Sequence, residues 1–274
     1  MTYSTALITI IAGVVSLVVL LLWAISQRKK SRLKKQALGI SWLRSLRQLL
    51  MHSQQHRGMS TGFLNGEQSL FDKIIEIQRS IGRDIIAIEA FDTQVKSNGQ
   101  WQAITQHWAK LSGNFKKNTR SNNIDQHSKL IQNILFFIDD KACQHDLLLL
   151  ESPSGIPLHF AWRELLTAAE CIGQARALGT GVVAAACCDT VSRIRLNYLC
   201  QKIELTTQAA WHEIPPSDEQ RRNVSFLLAC IQDDILGESL TIDVNTYFTI
   251  ASQAIDGLHQ QYDTMVDQLH SNRL

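Results

Sequence analysis

From residue 41 onward the apolar positions recur at intervals of three and four. Trp42, Leu43, Leu46, Leu49 and Leu50 set the pattern, which is one buried face of a helix. The same period predicts helices at about 41–64, 67–95, 100–113, 124–150, 158–186, 189–212, 218–236 and 243–270. The breaks carry recognisable chemistry. Ser97-Asn98-Gly99 is a turn, Asn118 to Asn123 is a polar loop, and Ser152 to Pro157 closes one helix and opens the next. Pro215-Pro216-Ser217-Asp218 ends in a good N-cap. No stretch alternates with period two for long enough to argue a sheet, so the predicted fold class is all-α.

A shift of 119 residues lays the first four predicted helices on the last four. The fourth and eighth begin alike, with Ile124-Asp125 then Ser128 against Ile242-Asp243 then Thr246. A repeat of this length is a duplication rather than a solenoid. The expected architecture is two four-helix bundle units forming one domain over 39–274, with halves at about 39–150 and 151–274.

Ahead of that domain, Ala6 to Ile25 runs twenty residues without a charge. As a helix it would extend about 30 Å, the thickness of a bilayer core. Trp23 suits an interfacial position, and Arg28, Lys29, Lys30, Arg32, Lys34 and Lys35 follow on one flank only. The expectation is a single transmembrane helix in residues 1–26, a basic juxtamembrane segment over 27–38, and a break at Gly39. By the positive-inside rule the protein would sit in the inner (cytoplasmic) membrane as a single-pass chain with its bulk in the cytoplasm.

Composition changes the picture in three places. Only 4 prolines and 14 glycines punctuate 274 residues, which favours long helices. The net charge of +2 hides the basic cluster: without its six cations, 21 basic residues face 25 acidic ones. A nucleic-acid partner is therefore not expected. The six cysteines form no CxxC pair and sit in apolar runs, which fits buried thiols in a reducing compartment. No HExxH, clustered histidine and carboxylate set, or P-loop is present, so neither an enzyme nor a metal or organic cofactor is expected.

The candidate chemistry lies in the repeat itself. Gln54, Arg57, Thr61 and Gly62 correspond, at the 119-residue offset, to Gln174 (one place out), Arg176, Thr180 and Gly181. Each copy puts an arginine among small residues, with a threonine one turn on along the same face. A buried guanidinium must be paired. Arg57, Arg176, Thr61 and Thr180 are accordingly read as two halves of one anion site. The competing reading pairs each arginine with an internal carboxylate such as Asp84, Glu89 or Asp139. Glu170 lies six residues before Arg176, off its face.

These segments resemble the nitrate- and nitrite-sensing (NIT) domain family. Leu49 to Arg57 is similar to the family's first signature, Leu-Gln-x-Glu-Arg-Gly, with His56 where glutamate is usual. Glu170 to Gly181 resembles the second, and Tyr247-Phe248 with Ala254 to Leu258 the last helix. The resemblance covers roughly 41–270. It implies a helical signalling sensor that binds nitrate or nitrite between its halves through Arg57 and Arg176. This chain has one arginine at the first signature, where the family can have two adjacent. The family usually sits beside an output domain, and none is expected after the last helix here, so a signalling partner protein is expected, and a homodimer is open to it. The alternative is a non-enzymatic interaction scaffold that has lost anion binding.

Overall fold

The helix at the centre of the fold is made from the smallest side chains. Leu166–Ala184 carries Ala168, Ala169, Gly173, Ala175, Ala177 and Gly179, all buried. A helix whose side chains are small on several faces is one that others can surround closely. The computed structural model describes residues 2–271, and the side chains of residue 13 and of residues 15–268.

Among the described residues the chain is helical throughout: α1 (Thr2–Leu64), α2 (Phe71–Phe91), α3 (Gly99–Asn114), α4 (Arg120–Gln144), α5 (Leu166–Ala184), α6 (Thr190–Glu213), α7 (Asp218–Cys230) and α8 (Val244–Ser271). Single π-helical turns lead into α5 at Ala161–Leu165 and end α7 at Ile231–Ile235. No strand is described, only an isolated bridge between Glu151 and Pro157.

Local chemistry fixes the helix starts. The Asn98 side chain accepts from the amides of Gln100 and Trp101, both at 3.0 Å, and so opens α3. Asp189 caps α6 through the Ser192 amide at 2.7 Å. Ser217 and Gln220 form a reciprocal capping box on α7. Each such cap contributes about 1 kcal/mol by satisfying amides that the helix leaves unpaired.

Positions and contacts repeat along the chain. α2 and α6 begin at residues 71 and 190, and α3 and α7 at 99 and 218, the same 119-residue offset. α4 and α8 begin at 120 and 244, five residues further apart, because a longer connection precedes α8. α1 packs on α2 and α4, and α3 on α4. α5 packs in the same way on α6 and α8, and α7 on α8. The two sets meet where α5 lies against α1 and α4, and α8 against α1. Ion pairs reinforce the last contact, Arg44 to Asp267 at 2.7 Å and Arg47 to Asp263 at 3.4 Å. Leu43, Leu46 and Leu50 are fully buried on the inner face of α1. Each contributes about 1.5–3 kcal/mol by leaving water.

Two expectations at the N-terminus are corrected. Gly39 does not end a helix, since α1 runs unbroken through it. A side chain there would come within 2.5 Å of His145 Cβ. This glycine permits close packing against the end of α4 instead of a turn. The membrane anchor is corrected as well. No helix among the described residues is long and apolar enough to cross a membrane. Of the expected span Ala6–Ile25, the side chains of residues 6–12 and 14 lie outside the described ones. The continuous apolar part that is described, Val15 to Ile25, rises about 16 Å, roughly half a bilayer core. The single-pass anchor and the inner-membrane location are therefore not supported.

Candidate anion site

α1 changes character after Leu50. Its inner face stops being apolar and becomes a buried polar stripe of Ser53, Gln54, His56, Arg57, Ser60 and Thr61, each at most 2% exposed. Polar groups removed from water require partners, and most of this stripe finds them on α4 and α5.

Arg57 meets Glu170 of α5 in a bidentate pair, Nη1 to Oε1 at 2.5 Å and Nη2 to Oε2 at 3.1 Å. Nη1 also donates to Ser128 Oγ of α4 at 3.1 Å. Glu170 accepts two further bonds, from Gln54 at 3.0 Å and Gln174 at 2.9 Å. Close approach of the helices makes this possible: a side chain at Gly173 would lie 2.5 Å from Arg57 Nη2. Beside this pair, His56 Nδ1 and His127 Nε2 are 2.7 Å apart. Burial pushes the His56 pKa down to about 4, and drives that of His127 well below its usual value.

Arg176, one turn beyond Gly173, has a different environment. It is 8% exposed and forms no ion pair among the described residues. Nη1 donates to Ser252 Oγ of α8 at 2.9 Å, the guanidinium lies 4.8 Å over the Phe248 ring, and Nε has no partner. Burial lowers its pKa to about 10 and the nearby charge of Arg57 adds to the effect, while the carboxylates of Asp256, exposed on α8, and of Glu170 act against it. The Phe248 ring also touches α1 at Gly58, 3.4 Å from where a Cβ would stand. Gly58 is Arg57's neighbour in sequence, so one ring spans the ground between the two arginines. Burial also holds the His259 pKa well below normal, with Arg47 and Arg176 contributing, so this ring is neutral.

The repeat extends to these contacts. Arg57 reaches Ser128, the ninth residue of α4, and Arg176 reaches Ser252, the ninth residue of α8. The four residues singled out in the sequence thus fare differently. Arg57 and Arg176 are brought within electrostatic reach of each other, but a carboxylate occupies the first. The Thr61 hydroxyl is taken by Asn123 Nδ2 at 3.1 Å. The Thr180 hydroxyl is buried without a partner. Sequence reasoning missed Ser128 and Ser252, and considered Glu170 only against Arg176 on its own helix. Asp139 pairs with Arg163, and Asp84 with His52, so neither serves the arginines.

A cleft of about 560 Å³ opens beside the network, between α4, α5 and α6. Ser128, Glu170 and Gln174 line it, and Lys129 and Lys202 add positive charge. It gives solvent a path to the Glu170 carboxylate. Chemically, the buried groups of the centre are two guanidinium charges and one carboxylate, a sum of +1, with the Asp256 carboxylate acting on Arg176 from the solvent side of α8. A single monoanion would bring that buried sum to zero.

The fold is similar to that of a solved structure, the NasR transcription antiterminator. The match has a TM-score of 0.63 and covers 91% of this chain and 73% of that one, at 15% sequence identity. At this identity the likeness is one of fold. No family model matches the chain. No curated protein matches it either.

Proposed function

We propose that this protein is a helical sensor whose signal is a small singly charged oxyanion, nitrate or nitrite, bound at Arg176 beside Arg57. The observation that carries the reading is a buried guanidinium that no described carboxylate contacts. An unpaired buried charge costs several kcal/mol, so a fold that keeps one gains stability when an anion arrives. The planar arginine fork suits a planar oxyanion better than an ammonium would. Nε of Arg176 and the hydroxyl of Thr180 supply unused hydrogen-bonding capacity. Each charge-assisted bond contributes about 1.5–3 kcal/mol, and a micromolar ligand needs about 8, so several such groups suffice together. The resemblance of both arginine segments to the nitrate- and nitrite-sensing family, and the fold shared with a transcription antiterminator, support a signalling role over an enzymatic one.

In this reading the two halves of the duplication share the ligand. The anion touches α5 and α8 and draws on α1 through Arg57, so its binding changes how these helices pack. α1 continues from the site, past Gly39, to the exposed apolar residues Val15 to Ile25. Strain on α1 at Arg57 is thereby carried toward a partner protein. Ligand binding shifts such an equilibrium by its differential affinity for the two packings.

One observation favours a second reading, the interaction scaffold. The bidentate Arg57–Glu170 pair already supplies an anion to half of the site. Thermal unfolding of the full chain separates the two. Sodium nitrate at about 100 times its Kd, against sodium chloride at equal ionic strength, should add about 2.7 kcal/mol and raise the Tm by about 5–10 °C. Arg176→Met should abolish the nitrate-specific part. A nitrate curve that overlays the chloride curve in the unaltered protein would leave the scaffold reading standing.

A further inference from the structure

We infer that Glu170 sets the charge selectivity of the anion site, restricting it to monoanions and excluding dianions such as sulfate. The inference rests on the Arg176 reading above and adds a residue with a distinct role. Glu170 is 5% exposed, and its two oxygens accept four hydrogen bonds, two from Arg57 and one each from Gln54 and Gln174. Those bonds fix the carboxylate against Arg57 and leave it no freedom to move away from an incoming ion. Arg57, in turn, is close enough to Arg176 that its charge is felt there. The carboxylate is therefore a resident anion of a two-arginine centre.

Shape alone does not select by charge, because guanidinium groups bind planar and tetrahedral oxyanions alike. The sum of charges does. With Glu170 ionised the buried groups of the centre sum to +1, the Asp256 carboxylate standing outside them in solvent, and a monoanion brings that buried sum to zero. A dianion would bring it to −1, leaving an uncompensated negative charge away from water and facing the fixed carboxylate. Were Glu170 neutral, the same two arginines would be +2 and would favour the dianion. Glu170 is in this sense a specificity-determining residue that need not touch the ligand. Glu170 lies on the wall of the cleft beside it, with Ser128 and Gln174.

Titration calorimetry on the full-length protein tests this with three ions. Nitrate is the reference, sulfate is a tetrahedral dianion, and perchlorate is a tetrahedral monoanion that controls for shape. In the unaltered chain, nitrate should bind and sulfate should not compete. Glu170→Gln should raise sulfate affinity relative to nitrate at least tenfold, while perchlorate relative to nitrate changes far less. Gln174→Lys offers an independent route that leaves the Arg57–Glu170 pair in place. It adds a positive charge at a half-buried position on the cleft and should shift the ratio in the same direction. It also decides the matter if Glu170→Gln fails to fold. A sulfate-to-nitrate ratio within twofold of the original in either folded variant would overturn the inference while the anion reading stood. Absence of nitrate binding in the unaltered chain would instead remove the reading itself.

Discussion

Arg57 and Arg176 occupy matching places in the two halves of the chain, yet they live in opposite electrostatic conditions. Both project from the inner helix of their half, and both donate to a serine at the ninth position of its last helix. Arg57 then finds a carboxylate, held by four hydrogen bonds, and Arg176 finds a serine hydroxyl and an aromatic face, with the Asp256 carboxylate acting on it from the exposed side of α8. An internal pair of this kind costs desolvation on both sides but returns it through geometry, and breaking it leaves a charge stranded. Arg57 is thus a pin between α1 and α5. Arg176 is a buried charge that no described carboxylate contacts. The proposed function follows from that difference: the copies share packing, and they part where one arginine has no carboxylate in contact.

The largest effect should come from removing that counter-ion where it exists. Glu170→Ala strands Arg57 at a fully buried position and should lower the unfolding free energy by about 3–5 kcal/mol in a urea titration followed by helical circular dichroism. A loss below about 1 kcal/mol would mean that Arg57 is already hydrated and that the two arginines are not so different.

Acid should act next, through the buried histidines of both halves. An unfolded histidine takes up its proton near 6.5, whereas folded His56 resists until about 4. Between those values the unfolded chain binds more protons, so stability is complete above about 6.5 and falls as the pH drops. The His56 share alone approaches roughly 3 kcal/mol at the bottom of the window. His259, buried beside Arg176 with its pKa depressed, should add to the slope of stability against pH. His259→Leu should reduce that slope by about one proton. An unchanged slope would show that the ring is protonated in the fold and that Arg176 tolerates a cation at its side.

Much of the helical framework could be read from the sequence. The N-cap at Ser217 and the turn at Asn98 announced α7 and α3 because caps and turns are local chemistry, decided within four residues. The 119-residue repeat exposed the matched arginines because both copies keep the same neighbours. Gly39 misled, since a glycine that permits close packing looks the same in sequence as one that ends a helix. Ala6–Ile25 misled because the absence of charge says nothing of what a long helix does with its apolar side chains. The decisive contact was out of reach. Arg57 and Glu170 are 113 residues apart, and periodicity relates a residue only to others on its own helix. Glu170 was therefore weighed against Arg176, its neighbour in sequence, and not against Arg57, its neighbour in space. The imbalance between the two arginines appears only once α1 and α5 are laid together.

That imbalance is tested most directly by making one substitution at both positions. Unfolding free energies of Arg57→Met and Arg176→Met, measured in urea without added anion, should move apart. The first variant strands the Glu170 carboxylate and should lose about 3–5 kcal/mol, whereas the second removes an uncompensated cation and should be as stable as the original or more so. Equal losses in the two variants would show that Arg176 is as fully compensated as Arg57, and would contradict the account of an open anion site.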